Sequence, residues 1–223
     1  MSAAGRGAAR DVLDRYDTPE WAVHRLLDRI GHRLPIIGAT WREPACGSGA
    51  IVRAVRSWCA ARGQVDPRWL LSDIEPRYPA APSPVHRLDG ALDMASLGRA
   101  DVCPTNPPYR YALAFARQAV ECADVVALLL RVNWLEGATT EEPERAAFLR
   151  AHPPDVFVLP ERPHFEVNGV PKKGSDACAY AWVIWGLDGG RWALLDSTPK
   201  SVRHPRRQRR RRRLTAPVRS EAA

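Results

Sequence analysis

The stretch Val125–Val132 is apolar at every position except Arg131. It lacks the in–out alternation of a half-buried strand, so it reads as a strand covered on both faces. Such a strand requires helices on both sides of its sheet. The chain supplies them. Trp21, Val23, Leu26, Leu27 and Ile30 recur at helical spacing behind Thr18-Pro19-Glu20. There threonine can cap, proline suits the first turn, and the acid complements the helix dipole. A short strand, Ala39–Arg42, runs into Glu43–Gly49, and a helix follows through Ile51, Val52, Val55 and Trp58. Trp69–Leu71 reads as a buried strand ending at Asp73, residues 76–84 as a proline-rich loop, and Asp101–Cys103 as a strand leading into Thr105–Tyr109. Helices are expected at Leu113–Cys122 and 143–151, and a strand at Val156–Leu159. Ala179–Trp185 and Trp192–Leu195 flank Gly-Leu-Asp-Gly-Gly-Arg and read as a closing hairpin. The alternation predicts an α/β fold: a doubly wound, mostly parallel sheet with an antiparallel edge strand. Three polar clusters fall at strand ends, where such sheets bind ligands: Glu43–Gly49, Asp73 and Asn106–Tyr109.

Length and charge bound the rest. A chain of 223 residues can enclose one α/β core. No apolar run reaches the roughly 18 residues of a membrane span. The first residues lack the apolar core of a signal peptide, so a cytoplasmic protein is expected. The five cysteines form no CxxC pair and the six histidines have no metal-ligand spacing, so no metal site is expected. Net charge is +8, from 33 basic and 25 acidic residues. Residues 203–223 hold nine of the arginines and one glutamate, which leaves 24 of each sign in residues 1–202. The excess charge therefore lies in the tail. The expected organisation is a loose leader over 1–15, one domain over 16–200, and a disordered arginine-rich arm over 201–223. Arg206, Arg207, Arg209, Arg210, Arg211, Arg212 and Arg213 are the candidates in that arm for phosphate contacts. The alternative is compositional drift, since the chain carries thirty arginines against three lysines.

Glycines between a strand and a helix let the backbone approach a ligand, and Glu43 at the strand end can face a cation. No lysine follows the glycines, which disfavours a nucleoside triphosphate. The alternative is a tight turn. Asp73 stands where a carboxylate accepts the hydroxyls of a ribose, although an acid there can also cap a helix. Asn106-Pro107-Pro108-Tyr109 is the sharpest signal. Its two prolines fix the backbone and remove two donors, leaving the Pro107 carbonyl and the Asn106 amide oxygen as acceptors. Two acceptors side by side suit an NH₂ group, and Tyr109 offers a face for a base.

Together these motifs resemble those of S-adenosylmethionine-dependent DNA adenine-N6 methyltransferases, in a compact form like that of phage and prophage enzymes. Glu43, Ala45, Cys46, Gly47 and Gly49 resemble the family's cofactor loop, and Asn106, Pro107, Pro108 and Tyr109 its catalytic motif. Tyr16-Asp17-Thr18-Pro19 resembles the segment that holds the methionine end of the cofactor. Asp73 matches the ribose-binding acid and Ile74 the residue packing on the cofactor's adenine. Asp89, with Asp93 competing, matches the acid near the adenine amine. Phe165 resembles the aromatic residue that stacks on a flipped base, although simple core packing is an equal reading. The resemblance covers roughly residues 15–186. It implies a Rossmann-like methyltransferase fold, S-adenosyl-L-methionine as cofactor, DNA as partner, and methylation of the N6 amine of a flipped adenine.

The chain departs from the family in three ways. Pro104 stands in a central strand, where it removes a ladder donor, so that strand is expected to be short. A separate target-recognition domain is not expected, so sequence specificity is expected to be weak or to reside in the loops at 135–145 and 163–177. The arginine arm is not a family feature. The alternatives are a methyltransferase for another amine (guanine in ribosomal RNA, protein glutamine or cytosine N4) and a catalytically silent DNA-binding relative. The sequence leaves the oligomeric state open.

Overall fold

A computed structural model describes residues 16–136, 143–167, 170–171 and 178–195. The elements are α1 (Glu20–Ile30), β1 (Thr40–Glu43), α2 (Ala50–Ala60), β2 (Arg68–Asp73), β3 (Val85–Arg87), β4 (Ala100–Thr105), α3 (Ala112–Cys122), β5 (Ala123–Arg131), α4 (Pro143–Ala151), β6 (Asp155–Val158), β7 (Glu166–Val167), β8 (Val170–Pro171), β9 (Tyr180–Trp185) and β10 (Trp192–Leu194). Eight strands form one sheet in the order β10-β6-β9-β5-β4-β1-β2-β3, and β7 and β8 form a separate ribbon. The run from β3 to β5 is parallel throughout, and β9 is antiparallel to both β5 and β6.

The burial pattern explains the layering. On β5, Val125, Ala127 and Leu129 join one core with Leu26, Leu27 and Ile30 of α1 and Val52 and Val55 of α2. Val126, Leu128 and Leu130 join the other core, with Phe115, Ala116 and Ala119 of α3 and Phe148 of α4. Leu128, Leu129 and Leu130 are all fully buried. Each such leucine contributes about 1.5–3 kcal/mol relative to an exposed one. The chain reverses its direction across the sheet between β1 and β4, so the ends of those two strands flank a natural crevice.

Three local expectations are corrected. Thr18 does not cap α1; Pro19 is the N-cap residue, without a side-chain bond, and its carbonyl accepts the Ala22 N–H at 3.0 Å. Pro104 does not shorten β4, which continues to Thr105 and registers Pro104 against Ala127 of β5. The ladder from β4 to β1 registers only at Trp41–Val102, so little pairing depends on the donor that Pro104 lacks. The closing hairpin does not form. β6 inserts between β9 and β10, pairing antiparallel with the first and parallel with the second.

Asp155 organises that crossover. Its fully buried carboxylate accepts the N–H groups of Gly189 (3.3 Å) and Arg191 (2.8 Å). Gly186, at φ +86°, lies so near the Asp124 carbonyl that a Cβ would come within 1.8 Å of it. Both contacts steer the chain around the end of β6 instead of back along β9. Asp155→Ala should therefore cost about 2–4 kcal/mol in urea unfolding, because two backbone donors lose their acceptor. A loss below about 0.5 kcal/mol, the level of an ordinary surface change, would contradict this role.

Candidate cofactor and active site

Glu43 ends β1, Asp73 ends β2, and Asn106 follows β4. These three strand ends open into one cavity of about 240 Å³. Of the residues singled out from sequence, Tyr16, Thr18, Glu43, Ala45, Cys46, Gly47, Asp73, Ile74, Asp89, Asn106 and Pro108 line it. Pro19, Gly49, Pro107, Tyr109 and Phe165 do not, and the tail arginines lie outside the described residues.

Backbone hydrogen bonds fix the loop between β1 and α2. The Cys46 N–H donates to the Ser72 carbonyl at 3.0 Å, and the Gly47 N–H to Asp73 Oδ2 at 2.8 Å. Asp73 Oδ1 accepts the Glu75 N–H at 2.8 Å. Asp73 thus holds the loop as well as facing the cavity. Gly49 has φ +81°, and a Cβ there would lie 2.2 Å from the Tyr78 ring, so only glycine fits. The segment before α1 is tied to the same loop: the Ser48 hydroxyl donates to Asp17 Oδ1 at 2.6 Å.

The Asn106–Tyr109 residues are equally fixed. Asn106 Nδ2 donates to the Tyr16 carbonyl at 3.2 Å. A carbonyl can only accept, so this contact sets the amide's orientation. Among the described residues nothing donates to Asn106 Oδ1 or to the Pro107 carbonyl. The Pro108 carbonyl is taken by the Tyr111 N–H at 2.8 Å. The Tyr109 ring lies 5.9 Å from that of Tyr180, with the Arg131 guanidinium 4.9 Å from its centroid. Phe165 is buried and packs on Tyr180 (5.1 Å) and Tyr16 (5.9 Å). The geometry therefore favours core packing for Phe165. Asp89 lines the cavity and Asp93 does not, which separates the two competing acids.

Glu43 is the electrostatic outlier. It is buried at 1% exposure; Oε1 accepts the Ala45 N–H at 3.3 Å. Burial pushes its carboxyl up to about 8, with a smaller push from the Asp73 charge, while the Thr105 hydroxyl and the Ala45 N–H pull it back in part. Burial also raises the Cys46 thiol, helped by Glu43 and Asp73, and Cys46 is 5% exposed and joins the core. Asp17 and Ser48 stand inside motifs read from the sequence, but their contact, which spans 31 positions, was not legible there; Arg110 and Tyr111, which line the cavity directly after the Asn106–Tyr109 motif, were missed. Adjacency to that motif was the only available signal for the last two. Gly90 was also missed; a Cβ there would strike the Phe115 ring at 2.6 Å.

No protein-family model and no curated protein matches the chain. Solved structures do. The methyltransferase subunit of a type I restriction-modification system from Streptococcus thermophilus superposes with TM-score 0.57 at 14% identity, over 89% of this chain and 54% of that one. A protein from Listeria monocytogenes assigned as a class I S-adenosylmethionine-dependent methyltransferase gives 0.53 at 15% identity, over 83% and 67%. A protein from Pyrococcus horikoshii assigned as an RNA methyltransferase gives 0.53 at 13% identity, over 78% and 86%. The chain spans about half the length of the restriction-modification subunit. At these identities the likeness defines the fold, which is the Rossmann-like fold of class I methyltransferases, and leaves the chemistry to the site. Among the described residues no helix is long and apolar enough to cross a membrane, and no three His, Cys, Asp or Glu side chains converge as a metal site requires.

The raised Glu43 carboxyl links stability to pH. Below about 4.5 the group is protonated in both states and contributes nothing. Between 4.5 and about 8 the unfolded chain releases the proton while the folded chain retains it, so stability falls as pH rises; above 8 the loss is complete. Glu43→Gln lacks this term. Its melting temperature should gain on wild type steadily from pH 5 to 8, and parallel curves would contradict the assignment.

Proposed function

We propose that the protein transfers a methyl group from S-adenosyl-L-methionine to the N6 amine of an adenine flipped out of DNA. One observation carries this reading: the Asn106 amide is turned so that Oδ1, like the adjoining Pro107 carbonyl, has no donor among the described residues. An exocyclic NH₂ group brings the two donors that such a pair lacks.

The cavity suits the cofactor on the chain's own chemistry. A Cβ on Gly47 would meet nothing within 4 Å, so the loop backbone borders open space. Ile74 is 51% exposed at the rim, an apolar face for the adenine of the cofactor. Asp73 and Asp89 offer acceptors for its ribose and its adenine amine, and Glu43 with Asp17 an acidic wall for its cationic end. Tyr16, Thr18 and Pro19 form the segment before α1 that would border the methionine end. The bound cofactor supplies an activated methyl group on a sulfonium.

The residues then have orientation as their main task. An adenine amine is a weak nucleophile because its lone pair is delocalised into the ring. Asn106 Oδ1 and the Pro107 carbonyl would accept hydrogen bonds from its two N–H groups, favour a pyramidal nitrogen and aim the lone pair; once the methyl has passed from sulfur to nitrogen, one of those protons would leave to solvent. Pro107 and Pro108 keep that backbone rigid. Good alignment of this kind can be worth about 7–11 kcal/mol of barrier. Tyr109 provides the stacking face that offsets the few kcal/mol lost in flipping the base. Beyond the domain over 16–200, the arginine arm would add phosphate attraction that the neutral remainder of the chain lacks.

Asn106→Ala should lower single-turnover methylation of DNA by about a hundredfold or more, with a smaller change in cofactor affinity by calorimetry. A near-normal rate would remove Asn106 from the chemistry. A protein that turns over but labels only RNA or protein would retain the mechanism and overturn the substrate.

A further inference from the structure

We infer that Arg110 and Tyr111 form a DNA-contacting pair at the cavity mouth: Arg110 takes a phosphate of the substrate strand, and Tyr111 stacks on a base beside the target. The inference rests on the DNA reading above. The turn Tyr109–Tyr111 continues directly from Asn106-Pro107-Pro108, and the Tyr111 N–H bond to the Pro108 carbonyl, 2.8 Å, fixes it to the catalytic segment. Both residues line the cavity. Arg110 is exposed and Tyr111 is 44% exposed, with the guanidinium 4.4 Å from the ring centroid.

Stacking of a cation on a ring is not itself the signal. Arg62 on Trp58 (3.9 Å) and Arg53 on Tyr78 (5.6 Å) do the same elsewhere on the molecule. Charge and position single out this pair. The cavity's charged lining is otherwise acidic (Asp17, Asp73, Glu75 and Asp89, the Glu43 carboxyl being held neutral by burial) apart from Arg77. Arg77 is neutralised by Glu75 at 2.9 Å. Among the described residues Arg110 makes no ion pair. A polyanion brought to this acidic crevice needs a cation at the entrance, and Arg110 is the one cavity-lining cation left unmatched. A guanidinium lying on an exposed tyrosine also presents a flat surface on which a base stack can continue.

The competing role for Arg110 is capture of the cofactor's carboxylate, and the test separates the two. Binding of a fluorescent duplex to the full-length protein is measured between about 50 and 200 mM salt, alongside calorimetry with S-adenosylmethionine. Arg110→Ala should weaken DNA binding roughly tenfold at the lower salt. It should also reduce the log–log salt slope by about 0.9, so that the deficit shrinks about threefold across the range. Arg110→Lys should restore the slope. Tyr111→Ala should weaken binding with the slope intact, and Tyr111→Phe should match wild type. In Arg110→Ala and Tyr111→Ala, cofactor affinity should change much less than DNA affinity. An unchanged slope in Arg110→Ala, or a loss of cofactor affinity in place of DNA affinity, overturns the inference while wild-type DNA methylation keeps the functional reading. If wild type neither binds nor methylates DNA, both fall.

Discussion

Leu128, Leu129 and Leu130 of β5 are fully buried in succession, and they can be so only because helices cover both faces of the sheet. That demand orders the architecture. With α1 and α2 on one side and α3 and α4 on the other, the chain must cross from one half of the sheet to the other. It does so between β1 and β4. The crevice is thus a consequence of covering the central strand. Residues at the ends of β1, β2 and β4 converge there because their strands are parallel and adjacent.

Within that crevice the backbone does much of the positioning. Asp73 bridges the Gly47 and Glu75 N–H groups, Asp17 holds Ser48, and the Tyr16 carbonyl orients the Asn106 amide. These links join the segment before α1, the glycine loop and the Asn106 turn into one unit. A change at Asp73 would therefore disturb the loop as well as any ribose contact. Glu43 is the exception, a carboxyl kept neutral near pH 7 by burial. A cation bound beside it would favour its ionised form.

The long apolar elements were legible in the sequence because their hydrophobic spacing is local: α1, α2, α3 and β5 appear where periodicity puts them, and residues 143–151 form α4. The three strand-end clusters were legible for the same reason. Non-local competition was hidden. β9 and β10 have a glycine-rich hairpin linker between them, yet β6 takes the place beside β9, a choice made by Asp155 and Gly186 at long range. β3, three residues at an exposed edge, carries too little apolar pattern to register. Thr18 has the chemistry of a cap, but the helix starts past Pro19 and Thr18 borders the cavity. Asp17, Ser48, Arg110 and Tyr111 gain meaning only from what the fold places beside them.

A fold does not by itself fix a reaction, so the proposed function turns on whether a methyl group is transferred and to which atom. The most direct measurement is mass spectrometry of nucleosides from unmethylated DNA incubated with the protein and isotope-labelled S-adenosylmethionine. The account predicts labelled N6-methyladenosine as the product in its deoxy form. Label found only on cytosine N4, or only in RNA or protein supplied in the same reaction, would contradict it.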